Sequence, residues 1–209
     1  MLKIQTLRVG ELATNCYFVT DPITHETLVV DPADAPEYIS DVLERESLTP
    51  IGIVATHGHF DHILGVFGLE VMYNIPFYLH PDDLFLVRRM QESARHFLKR
   101  NNIDPAPRIT NNLAEGAVIE IGKESVRILH TPGHTPGSVV IHIPAASASL
   151  VGDSLFADGS VGRTDTSYGD SKGLTHAIAR IVQTPGVKML YAGHGEPLSI
   201  DRAKVMFSV

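Results

Sequence analysis

The chain of 209 residues has a single cysteine, Cys16, so it cannot form an internal disulfide. Cys16 lies in the strand-like run Asn15-Cys16-Tyr17-Phe18-Val19, where a buried structural thiol is expected. No apolar run approaches the length of a membrane span. The start, Met1-Leu2-Lys3-Ile4-Gln5, lacks the apolar core of a signal peptide, and the expected location is the cytosol. A surplus of basic residues is also missing. With 17 Lys and Arg against 24 Asp and Glu, the formal net charge is −7. That balance, with a pI near 5.8, argues against nucleic-acid or membrane-surface partners and leaves a small-molecule substrate as the expectation. No low-complexity segment or linker interrupts the chain. Hydrophobic content of 44% and charged content of 20% are ordinary for a soluble globular enzyme, and the length suits one domain over 1–209.

Short strand-like and helix-like stretches are mixed along the chain. Strands are expected over Leu2 to Val9, Asn15 to Thr20, Thr27 to Asp31, Ile51 to Ala55 and Pro76 to Leu79. Further strands are expected near Ala117–Ile121, Ser125–Leu129, Ser138–Ile143 and Ser149–Val151, and an apolar run covers Lys188 to Ala192. Helices are expected over Ala35 to Glu46 with Asp34 as cap, Ile63 to Tyr73, about Pro81 to Arg100, and Lys172 to Val182 as the last clear one. Asn101 to Asn112, rich in Asn and Pro, reads as a loop. This pattern alone says α/β or α+β.

The most informative stretch is His57-Gly58-His59-Phe60-Asp61-His62, which follows the apolar run Ile51 to Ala55. Three imidazoles and a carboxylate gather there at the carboxyl end of a strand, where open α/β folds collect their chemistry. Imidazole and carboxylate are the donors that zinc, iron and manganese share. His57 and His59 can face one ion, and Asp61 and His62 suggest a second beside it. Three other strand-like runs end the same way. Thr131-Pro132-Gly133-His134-Thr135-Pro136-Gly137 follows Ser125–Leu129, Gly152-Asp153 follows Ser149–Val151, and Gly193-His194-Gly195 follows Lys188–Ala192. Each sets a donor beside Gly, which permits the tight backbone turns that metal loops need. The repetition makes the set strong where each member alone is weak.

These residues resemble the ligand series of the metallo-β-lactamase fold superfamily in order and spacing, over Leu7 to about Pro197. Within it the chain looks most like the short glyoxalase II-like (hydroxyacylglutathione hydrolase-like) enzymes, through Gly152-Asp153-Ser154-Leu155-Phe156 and Gly159 to Asp165. The same segment is similar to its counterpart in persulfide dioxygenases. The resemblance implies an αββα sandwich of two mixed β-sheets flanked by helices. It implies two divalent ions, zinc first, with iron or manganese accepted by the same donors. His57, His59 and His134 would hold one ion, Asp61, His62 and His194 the other, and Asp153 would bridge them. Asp61, His62 and Asp153 are the expected catalytic residues. The implied reaction is attack by hydroxide, formed from water at neutral pH, on a thioester carbonyl such as that of S-lactoylglutathione. A thiolate leaves without acid help, which suits a site with no spare acid or nucleophile.

Arg163 is expected to meet a substrate carboxylate, or else to form a local ion pair with Asp165 or Asp170. Asp165 is expected near the substrate or as acceptor for a ligand imidazole N–H. Asp31 either orders the metal loop or only shapes its own turn. His80 and His130 read as structural, and His25, His96, His142 and His176 stand outside any donor cluster. The chain departs from full-length glyoxalase II by ending soon after His194 and by carrying Glu196 where an aromatic residue is expected, which weakens the case for glutathione itself. The alternatives are a mononuclear iron persulfide dioxygenase, a metallohydrolase of another ester or lactone, a lactamase, and a metal-binding fold without activity.

Overall fold

In the computed structural model, which describes residues 1–207, twelve strands form two six-stranded sheets. The first contains β1 (Lys3–Val9), β2 (Thr14–Thr20), β3 (Glu26–Val30), β4 (Thr49–Val54), β5 (Phe77–Leu79) and β6 (Asn111–Asn112), in that spatial order. The second contains β7 (Val118–Ile121), β8 (Glu124–His130), β9 (Val139–Ile143), β10 (Ala148–Gly152), β11 (Met189–Ala192) and β12 (Leu198–Ser199), in order β12-β11-β10-β9-β8-β7. Both sheets are mixed. The first is antiparallel across β1-β2-β3 and parallel across β3-β4-β5-β6, and the second is parallel only between β10 and β11.

The helices are α1 (Pro36–Arg45), α2 (Phe60–Ile63), α3 (Val66–Tyr73), α4 (Leu84–Arg88), α5 (Met90–Leu98), α6 (Ser171–Val182) and α7 (Ile200–Met206). Strand β2 shows why the sheets stack. Its side chains alternate between two apolar environments. Cys16 and Phe18 join Ile39, Leu43, Leu69 and Met90 under the helices of the first sheet. Tyr17 and Val19 join Val126, Ile128, Ile141 and Leu150 between the sheets. On the far side, Val140, Val151 and Leu190 meet Leu174, Ile178, Ile181 and Ala203 of α6 and α7. The chain is therefore an α+β sandwich with helices on both outer faces. Cys16 is fully buried, as expected of a structural thiol.

Four local expectations need correction. Asp34 does not cap α1; Ala35 holds that position in a left-handed conformation (φ 51°) with no side-chain cap, and Asp34 instead meets Arg100 at 2.6 Å. The helix expected over Ile63–Tyr73 is interrupted at Leu64–Gly65, because the Gly65 N–H turns to the Pro32 carbonyl (2.8 Å). The helix expected to run to Arg100 is a 3-10 turn at Pro81–Asp83 followed by α4 and α5, with Arg89 out of helical geometry (φ −97°, ψ 1°). Lys172–Val182 is not the last helix, since α7 follows, capped by Ser199 through its hydroxyl. No helix among the described residues is long and apolar enough to cross a membrane.

Candidate metal centre

Seven donors from four strand ends meet at one edge of the sandwich. The His57–His62 segment follows β4, the His134 loop follows β8, Asp153 follows β10 and His194 follows β11. His57, His59 and His134 form one set and Asp61, His62 and His194 another, each with donor atoms within 4.8 Å of one another. In the first set His59 Nδ1 lies 2.9 Å from His57 Nε2 and 3.0 Å from His134 Nε2. In the second, Asp61 Oδ2 lies 3.8 Å from His62 Nε2 and 3.4 Å from His194 Nε2. Asp153 stands between them, with Oδ1 3.5 Å from His62 Nε2 and Oδ2 3.8 Å from His134 Nε2 and 3.7 Å from His194 Nε2.

The other nitrogen of each of these five imidazoles is held by the protein, an arrangement that would aim a ring at a metal. His57 Nδ1 meets Thr56 Oγ1 (3.1 Å), His59 Nε2 meets the Tyr168 hydroxyl (2.9 Å), and His134 Nδ1 meets the Arg163 carbonyl (2.9 Å). His62 Nδ1 meets Asp31 Oδ2 (3.0 Å) and His194 Nδ1 meets the Leu12 carbonyl (3.2 Å). Asp31 also accepts from Thr56 N–H and Oγ1, each at 2.7 Å, so it orders the metal loop rather than only its own turn. It does so from a left-handed backbone (φ 51°), an unfavourable conformation for a non-glycine residue. The partner of His134 is the Arg163 carbonyl, not the Asp165 carboxylate.

The loops are tied to one another. Asp83, fully buried, accepts from Gly58 N–H (2.8 Å), Gly137 N–H (2.7 Å) and the Thr135 hydroxyl (2.7 Å), joining the first two ligand loops. Gly193 N–H donates to the Gly152 carbonyl (2.8 Å) and its carbonyl accepts from Asn15 N–H (2.7 Å), which fastens the His194 loop to β10 and β2. A Cβ on Gly193 would stand 2.2 Å from Asp153 Oδ1 and 2.6 Å from His62 Cε1, so only glycine lets the chain pass there. Asp83, Tyr168 and Asn15 were not singled out from the sequence.

Charge divides the two sets. Burial, then the neighbouring imidazoles, holds His57 well below its ordinary pKa and brings His59 down to about 4. Burial also opposes charge on His62, but Asp153, Asp31 and Asp61 outweigh it and raise that imidazole well above its ordinary value. His194 is likewise raised, because Asp61 and Asp153 overcome its burial. Asp61 and Asp153 are held below the carboxylate range despite burial, chiefly by His62 and His194. Two features fit cations. In the first set, three nitrogens converge on a space with no proton donor of their own once neutral. In the second, His62 Nε2 and, 3.5 Å from it, Asp153 Oδ1 are buried without a hydrogen-bond partner. Imidazole and carboxylate donors suit zinc, iron or manganese.

A cleft of about 550 Å³ opens over the centre, lined by His59, Asp61, His134 and Asp153 at its floor. Arg163 also lines it, but its guanidinium pairs with Asp165 (Nε–Oδ1 2.8 Å, Nη2–Oδ2 3.1 Å), and both side chains are exposed. His80 and His130 stack face to face away from the cleft, with Asp82 nearby. His80 Nδ1 caps the turn at Asp82 N–H and His130 Nε2 meets the Pro136 carbonyl (2.8 Å), the structural roles read for them.

Known proteins agree with this architecture. The chain is similar in structure to BLEG-1, a B3 metallo-beta-lactamase (TM-score 0.88, 30% identity, 97% of each chain). It is similar to TTHA1623 in a di-iron-bound form (TM-score 0.85, 31% identity, 96% of each chain). In sequence it is 28% identical to the hydroxyacylglutathione hydrolase GloC of Haemophilus influenzae over 207 residues, 97% of this chain and 95% of that one. The pattern of the Metallo-beta-lactamase superfamily matches residues 9–194, and the chain belongs to that superfamily.

Proposed function

We propose that this protein is a binuclear metal-dependent hydrolase that cleaves a thioester such as S-lactoylglutathione. One observation carries the reading: seven donors gather in two sets with Asp153 between them, and four of the seven, His59, Asp61, His134 and Asp153, line a cleft that offers no other carboxylic acid among the described residues. His57, His59 and His134 would hold one ion, Asp61, His62 and His194 the other, and Asp153 both. When bound, the ions supply the acidity that yields hydroxide from water near neutral pH and draw electron density from a carbonyl. The chain's own part is positional. The carbonyls of Leu12 and Arg163, the Asp31 carboxylate and the Thr56 and Tyr168 hydroxyls fix the five rings before substrate arrives. Tyr168 is a poor proton donor, since burial lifts its phenol above the ordinary range. A thiolate departs as a stable anion without a proton donor, whereas an alkoxide or amide needs one, so the site suits a thioester best. The similarity to GloC supports the same choice.

A second reading is β-lactam hydrolysis, favoured by the similarity to BLEG-1. Thiol release from S-lactoylglutathione, ring opening of a chromogenic cephalosporin, and oxygen uptake on glutathione persulfide separate the candidates, each assayed on protein loaded with zinc, iron or manganese. Thiol release well above the lactam rate is expected. Lactam cleavage without thioester cleavage would move the assignment to a lactamase, and steady oxygen uptake with one ion per chain to a dioxygenase.

A further inference from the structure

The cleft has two chemically different ends. Leu12, Phe60, Phe97 and Phe156 wall the end near His194. Leu12 carries the carbonyl facing His194, Phe156 lies 6.3 Å from the His194 ring, and Phe97 stacks on Phe60 at 5.6 Å with the rings 6° from parallel. Leu12 and Phe97 are 46% and 59% exposed and present apolar surface at the cleft, while Phe60 packs into the core beneath Phe97. Tyr168, Arg89 and Arg163 stand at the other end. The Tyr168 hydroxyl touches His59, and both guanidinium groups lie within electrostatic reach of its phenol. Arg163 is engaged by Asp165. Arg89 makes no side-chain hydrogen bond among the described residues, and its paired carboxylate, Glu92, is 3.8 Å away. Two guanidinium groups thus stand at one end of one cleft, each tied only by an exposed ion pair, and that of Arg89 lies beyond hydrogen-bond distance of its carboxylate.

We propose that the substrate is a thioester with an apolar acyl group, seated against Leu12, Phe97 and Phe156, and an anionic thiol whose carboxylate meets Arg89. This rests on the hydrolase reading above and narrows its substrate. Charge development sets the orientation. As water oxygen bonds to the acyl carbon, the C–S bond breaks and its electron pair leaves on sulfur. The products are a carboxylate, a thiol and one proton released to solvent. Negative charge growing on sulfur is favoured beside Arg89 and Arg163 and opposed beside four apolar side chains. The thiol therefore points to the His59 end and the acyl group to the His194 end. A lactoyl group, three carbons with a hydroxyl, leaves that wall uncovered. Each further methylene is worth about fourfold when fully buried.

The test compares S-hexanoylglutathione with S-lactoylglutathione on the metal-loaded protein. At least a tenfold higher kcat/KM for the hexanoyl ester is expected. Phe97→Ala should reduce that preference severalfold and Phe97→Leu should keep most of it, at unchanged metal content. Arg89→Ala should raise KM for both esters about tenfold with little change in kcat, and Arg89→Lys should recover part. Equal or better turnover of the lactoyl ester, or equal loss on both esters in Phe97→Ala, would overturn the acyl assignment while leaving the hydrolase standing. An unchanged KM in Arg89→Ala would overturn the assignment of the thiol end. Cleavage of neither ester by a chain holding two ions would instead remove the thioester reading itself.

Discussion

Replacing Asp83 with alanine is expected to weaken both the fold and the first metal set, although Asp83 is not a ligand. Its buried carboxylate accepts from Gly58, between His57 and His59, and from Thr135 and Gly137, just after His134. One side chain thus registers all three imidazoles of that set. Both glycines are closely packed on Asp83: a Cβ would clash at Gly137, 2.7 Å from Asp83 Cγ, and would be tight at Gly58, 3.0 Å from Asp83 Cβ. Alanine leaves two buried N–H groups without an acceptor, while the Thr135 hydroxyl keeps Ser138 Oγ at 2.7 Å. Each orphaned N–H costs about 1–3 kcal/mol. Part is offset, because burial raises the Asp83 pKa and its charge is held at some cost. A net loss of about 3 kcal/mol follows, which at about 2–4 °C per kcal/mol for a chain of this size lowers Tm by roughly 6–12 °C. Asp83→Asn keeps one acceptor oxygen and should lose about half as much. Thermal denaturation followed by circular dichroism, with metal content after dialysis against a weak chelator, reads both effects. A Tm within about 2 °C of wild type, with both ions retained, would refute the argument.

The fully loaded protein is expected to hold two ions per chain by elemental analysis; a ceiling of one after metal supplementation would refute the paired assignment. Asp153→Ala should lose metal and turnover more completely than His194→Ala, since Asp153 faces both sets; the reverse order in both readouts would disprove bridging. The two ions should differ in pH dependence. His62 and His194 have raised pKa values in the metal-free chain, so an ion entering their set displaces protons, and its affinity falls by up to tenfold per proton for each pH unit below those values. His59, near 4, offers no such competition at pH 6. Equilibrium dialysis from pH 8 to pH 6 should therefore release one ion and keep the other, and simultaneous loss of both would contradict this. In the metal-free chain the sign for stability is that of a raised imidazole. The contribution of His62 and His194 is fully present below their unfolded pKa and is lost as pH rises through the folded values, which a Tm series between pH 5 and 9 would show.

The strands were legible because their period of two is local. In β2 the side chains go alternately to the helices, with Cys16 and Phe18, and to the opposite sheet, with Tyr17 and Val19, so an aromatic residue sits at each. The helix breaks were not legible, because their causes are remote. Leu64–Gly65 breaks on a hydrogen bond to Pro32, and nothing within Ile63–Tyr73 announces it. The short helix α7 escaped because seven residues carry too little periodicity to stand out. The donors were legible for the opposite reason: six residues hold four of them, and the rest end strands beside glycine.

What the sequence hid is the support around those donors. Asp83 reaches Gly58 across 25 positions, Tyr168 reaches His59 across 109, and Asn15 reaches the Gly195 carbonyl across 180. An acid after His80-Pro81 is also what an ordinary helix start carries, so Asp83 gave no distinguishing signal. Arg163 is the instructive intermediate. Its partner Asp165 is two residues away, so both the ion pair and the substrate contact were open from sequence. The structure shows the pair, but with side chains 63% and 71% exposed. A pair so exposed is screened by solvent and holds its partners weakly, whereas a partly desolvated substrate carboxylate would make a stronger charge-assisted bond. The pair therefore leaves Arg163 able to exchange partners, whereas Arg89, with its carboxylate at 3.8 Å, has less to give up. Of the two cations at the thiol end, Arg89 is the one whose removal should be felt more in KM.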